Sequence, residues 1–64
     1  MDADIQGCLV QINKVWRAFE HNGKPMTKSQ VTKVLIYGFN KGYKSVSQLT
    51  DEEINRILET KPAK

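Results

Sequence analysis

The groups in this sequence that could make or break bonds are a lone thiol, Cys8, a lone imidazole, His21, and three consecutive carboxylates, Asp51, Glu52 and Glu53. A zinc site takes three or four nitrogen and sulfur ligands, and a thiol nucleophile takes a histidine beside it. Cys8 falls among apolar residues at helical spacing, thirteen positions from His21, so neither arrangement assembles. Acid–base work by paired carboxylates requires two that converge, whereas successive residues of a helix point about 100° apart. Capping of a helix start is sufficient reason for all three acids. Gly38 and Gly42 are isolated, with no strand ahead of them, and make no phosphate-cradling loop. The sequence therefore predicts no catalytic residue, no metal and no cofactor: a protein that is not an enzyme and acts by binding.

What it is suited to bind is written in the placement of its charges. From His21 to Thr50 there is no aspartate or glutamate, while Lys24, Lys28, Lys33, Lys41 and Lys44 all fall in that window. The net charge of +3 thus conceals a basic middle flanked by Asp2, Asp4 and Glu20 before it and Asp51, Glu52, Glu53 and Glu59 after it. A block of one sign sets up a surface field that recruits the other sign. A lysine stripe alone is usually only a solvated face; the acid-free window is what distinguishes this one.

These residues must be positioned by helices. Ile5, Cys8, Leu9, Ile12, Val15, Trp16 and Phe19 share one stripe at a period of 3.6 and predict a first helix over about residues 3–21. Asn22-Gly23 supplies the left-handed conformation that ends helices, and Pro25 blocks continuation. Thr27 and Gln30 form a capping box, with Met26 and Val31 at the hydrophobic staple positions, and open a second helix over 28–40. Its stripe is Val31, Val34, Leu35, Gly38 and Phe39, and Gly42 terminates it. Ser45 with Gln48 predicts a short turn at 45–49. Thr50 with Glu53 forms a further box, with Leu49 and Ile54 as its staple, and opens a third helix over 51–60. Residues 61–64 read as a frayed tail. The expectation is one all-α, three-helix domain over 1–64, with no strand, although the β-branched run from Val31 to Tyr37 also suits one.

Sixty-four residues allow only a small core. A single cysteine precludes an internal disulfide and predicts a reducing, cytoplasmic setting. No apolar run approaches the roughly 18 residues of a membrane span, and Asp2 and Asp4 are unlike the cationic start of a signal peptide. No membrane partner is expected.

Off the stripes lie the candidate binding residues. Opposite the first helix's core face stand Val10, Lys14, Arg17 and His21, at spacings of four, three and four. His21 beside Asn22-Gly23 also reads as a cation at a helix C-terminus. On the second helix Lys33, Tyr37 and Lys41 follow at i, i+4 and i+8, with Tyr43 and Lys44 just beyond. Lysines neutralise phosphates and an aromatic ring stacks on an unpaired base, so the first expectation is a regulator contacting the DNA or RNA backbone. The third helix opens with acids, which predicts little base discrimination. Val10 and Ile36 are aliphatic residues pointing away from their stripes. They support a second expectation: a protein–protein regulator or inhibitor docking on an acidic protein, or a homodimer with Val10 and Ile36 in its interface. In size and economy the chain resembles the small regulators of phages and bacteria.

Overall fold

The computed structural model describes residues 4–59. The predicted tail at 61–64, and the outermost residues 3 and 60 of the first and last predicted helices, lie outside the described residues. The architecture is mainly helical, as the stripes imply: α1 (Ile5–Val10), α2 (Ile12–Val15), a 3-10 turn (Trp16–Ala18), a hairpin of β1 (Glu20–His21) and β2 (Lys24–Pro25), α3 (Lys28–Asn40), a second 3-10 turn (Val46–Gln48) and α4 (Asp51–Glu59). None of these helices is long and apolar enough to cross a membrane.

α3 is the central element, and its ends are set by local chemistry. Thr27 Oγ1 accepts from the Gln30 amide at 3.2 Å and Gln30 Oε1 accepts from the Thr27 amide at 2.9 Å, closing the predicted capping box. Met26 and Val31, the staple pair, are both buried. At the other end Gly42 takes a positive φ of 85°. The Tyr43 amide then donates to the Gly38 carbonyl at 2.9 Å and the Gly42 amide to the Phe39 carbonyl at 3.1 Å, the bond pair of a Schellman stop. The run from Val31 to Tyr37 is helical.

Four residues of α3 face inward: Val31, Val34, Leu35 and Gly38. Around them close Ile5 and Cys8 from α1, Met26, and Leu49 ahead of α4. α1 crosses α3 at Gly38, where a β-carbon would stand 2.8 Å from Ile5 Cδ1 and 3.5 Å from a Leu49 methyl. An antiparallel bridge of Asp4 with Ser45, in which the Ile5 amide donates to the Lys44 carbonyl at 3.1 Å, fastens the start of α1 to the segment after α3. Gln48 Oε1 accepts from the Lys44 and Ser45 amides, holding that segment's own turn.

The first predicted helix is not continuous. It breaks at Gln11, whose φ of −111° and ψ of 27° leave the helical region, and helical structure ends at Ala18. A straight helix over 3–21 would measure roughly 28 Å, close to the longest dimension of the whole domain, 30 Å. Bending at Gln11 brings α2 and the 3-10 turn back onto α3. The β-branched Val10, Ile12 and Val15 lower the cost of interrupting helix there. Ile12, Val15, Trp16 and Phe19 are consequently half-buried against the core rather than within it.

Asn22-Gly23 does not cap a helix. Both residues have positive φ, 56° and 77°, as a two-residue type I′ hairpin turn requires. Glu20 pairs with Pro25 and His21 with Lys24, so the expectation of no strand is corrected by one short hairpin. Phe39 is also misplaced by the stripe: it is 52% exposed. It lies one residue, about 100° round the helix, beyond Gly38, past the edge of the buried sector.

Candidate functional site

Three of the predicted contact residues, Tyr37, Lys41 and Tyr43, are brought together by a carboxylate from outside the acid-free window. α3 and the three residues past its end face α4 across a seam, and there Glu53 reaches in from the first turn of α4. Its Oε1 closes the Thr50 capping box, accepting from the Thr50 amide at 3.0 Å and the Thr50 hydroxyl at 3.2 Å. Its Oε2 accepts from the Tyr43 hydroxyl at 2.7 Å and the Tyr37 hydroxyl at 3.2 Å. Lys41 Nζ stands 4.0 Å from the same oxygen and 5.4 Å from the centre of the Tyr37 ring.

The cluster is electrostatically self-consistent. Hydrogen bonds to the charged form, foremost from the Thr50 amide and then from Tyr43, hold the Glu53 carboxyl below its ordinary range. The bond to Glu53 in turn pushes the Tyr43 phenol up. Both tyrosines are half-buried. Glu53 is the residue the sequence reading missed as part of this surface. Its place at the third helical position of a capping box was legible, but the destination of its second oxygen was not.

The remaining lysines stand differently. Lys24, Lys28, Lys33 and Lys44 are exposed, and no carboxylate of the described residues pairs with them. Lys28 and Lys33 share α3 with Ile36 and Phe39, which are 46% and 52% exposed. Ile36 and Phe39 are three residues apart and so neighbours on the helix surface. Thr32, one turn before Ile36, turns its hydroxyl back to the Lys28 carbonyl at 2.8 Å. The outer face of α3 thus combines apolar and cationic side chains and carries no acid.

The predicted back face of the first helix does not form as one stripe, because the break at Gln11 and the end of helix at Ala18 interrupt its spacing. Val10 is 78% exposed at the end of α1. Lys14 is exposed on α2, and Arg17 lies over the Trp16 ring at 5.3 Å. His21 is a residue of β1 rather than a cation at a helix end, half-buried, its imidazole N–H donating to Asn55 Oδ1 of α4 at 2.7 Å. Cys8 is a free, buried thiol that burial pushes up from its ordinary value, with the Asp4 carboxylate adding to the shift. Among the described residues no three histidine, cysteine or acidic side chains are grouped to hold a metal ion.

No protein-family model matches this chain, and no curated protein or solved structure is significantly similar to it.

Proposed function

We propose that the chain is a non-enzymatic binding module that docks the outer face of α3 onto an acidic protein surface. The observation that carries this reading is the pair Ile36 and Phe39, half exposed and adjacent on a helix whose lysines have no carboxylate partner among the described residues. Apolar side chains supply the burial that holds an interface, and the flanking Lys28 and Lys33 supply attraction and register toward carboxylates. A second copy of this chain is a poorer occupant. A two-fold interface sets one face against itself, which would bring these lysines toward like charge. A cytoplasmic setting is part of the proposal, in keeping with a free thiol at Cys8.

Nucleic acid is the second reading, favoured by the exposure of Lys24, Lys28, Lys33 and Lys44 without carboxylate partners among the described residues. It ranks below the first because the aromatic residues meant to stack on bases, Tyr37 and Tyr43, are half-buried and hydrogen-bonded to Glu53. A carboxylate at that position repels phosphate.

The test pairs fluorescence anisotropy on single- and double-stranded DNA and RNA with affinity capture from nuclease-treated lysate. The expected outcome is no binding to nucleic acid at micromolar protein, and capture of a protein with an acidic contact surface that Ile36→Asp abolishes. Saturable nucleic-acid binding whose salt slope falls by about one unit for Lys33→Ala and again for Lys44→Ala overturns the first reading in favour of the second.

A further inference from the structure

A cleft of about 300 Å³ opens where the hairpin meets the first turn of α3 and the second half of α4. Met26 and Leu58 give it apolar wall, and His21, Lys24, Gln30 and Asn55 give it polar lining. Hydrogen-bond accounting assigns the free groups. The Gln30 carbonyl oxygen is occupied by the Thr27 amide at 2.9 Å, so the free end of that side chain is its NH2. The Asn55 carbonyl oxygen is occupied by the His21 imidazole at 2.7 Å, so its free end is also an NH2. In each case an intramolecular bond engages the carbonyl oxygen, and the NH2 donors have no partner among the described residues. Lys24 adds a cation, and among the described residues it has no carboxylate partner and no acid lines the cleft.

We infer that this cleft binds a small oxyanion, a carboxylate or a phosphate group. Two amide N–H donors and one ammonium against an apolar wall are the complement of such a group, because hydrogen bonds to a charged acceptor are the strong ones. The His21–Asn55 bond fixes the direction of the Asn55 amide, and so makes His21 a positioning residue. The site is independent of the docking face proposed above: neither Ile36 nor Phe39 lines it.

Titrations at constant ionic strength, followed by 15N–1H correlation spectra, read the site directly, with inorganic phosphate in one arm and N-acetylglutamate in the other. Expected are saturable one-to-one shifts of the Gln30 and Asn55 side-chain amides and of the backbone amides from His21 to Lys24. Saturation in the phosphate arm alone assigns the site to phosphate groups, and in the other arm alone to carboxylates. Lys24→Ala weakens binding about tenfold, the scale of one charge-assisted hydrogen bond. Asn55→Asp keeps the acceptor for His21 but replaces the free NH2 with an anionic oxygen, and abolishes binding while the rest of the spectrum stays in place. Unsaturable shifts in both arms, or equal weakening by Lys24→Ala and by the remote Lys33→Ala, overturn the inference.

Discussion

Ile5 and Gly38 are matched surfaces: the δ-methyl of a completely buried isoleucine occupies the space that a β-carbon at residue 38 would need. The crossing of α1 over α3 depends on that glycine being bare. Gly38→Ala gains about 1 kcal/mol of helix propensity but overpacks the crossing at a cost of about 1–3 kcal/mol. A net loss of about 1 kcal/mol is expected by urea denaturation. Ile5→Val removes the obstructing methyl, so the double variant should lose less than the two single losses added together. Strict additivity would place the crossing elsewhere.

The Glu53 cluster predicts two pH limbs. A carboxyl held low in the folded state contributes stability that is complete above its ordinary value of 4.5 and is lost as pH falls through the lower folded value. A phenol held high contributes stability that is complete below its ordinary value of 10.0 and is lost as pH rises through the higher folded value. Melting temperature against pH should therefore fall at both ends. Glu53→Gln should flatten the acid limb, and Tyr43→Phe the alkaline one. Unchanged limbs would mean the hydroxyl–carboxylate bonds do not persist in solution.

Thr27→Ala and Thr50→Ala should each cost about 1 kcal/mol as lost N-caps. Thr50 is expected to cost the more, because its hydroxyl both accepts from the Glu53 amide and donates to the Glu53 carboxylate. Serine at either position should retain most of the stability. Thermal melts rank the four variants.

Ile36→Asp and Phe39→Ala should leave stability within about 0.5 kcal/mol, as exposed substitutions do, while abolishing capture of the partner. Val10 stands exposed at the end of α1, and Val10→Asp should affect neither. Light scattering of the wild type should give a monomer. A dimer that Val10→Asp or Ile36→Asp converts to monomer would replace the acidic partner with a second copy.

The parts of this fold legible in the sequence are those whose chemistry closes within a few residues. Thr27 with Gln30, Thr50 with Glu53 and the Gly42 stop each settle a boundary through bonds of short range, and α3 and α4 follow from them. Asn22-Gly23 reads in the sequence as a helix end because positive φ serves helix ends and hairpin turns alike; only the return of Lys24 and Pro25 alongside Glu20 and His21 decides for the hairpin. The break at Gln11 carries only a weak local signal, the β-branched Val10, Ile12 and Val15, since the apolar spacing runs through it unbroken; what it achieves is tertiary, the return of α2 and the 3-10 turn onto α3. The convergence of Tyr37, Lys41 and Tyr43 on Glu53 joins residues on either side of a seam, and their spacing in the chain contains nothing of it.

The fastening of Asp4 and Ile5 to Ser45 and Lys44 gives the domain an order of assembly. α3, the turn after it and α4 are contiguous, so closing them against one another fixes only short loops. α1 must return to its dock from about forty residues away, and the entropy of closing that larger ring falls on this step. α1 is therefore expected to arrive last and depart first, a departure that would bare Val31, Leu35 and the flat spot at Gly38 with α3 and α4 still paired. Deuterium should enter the amides of α1 through this partial opening well before it reaches those of α3, which wait for the whole chain to unfold.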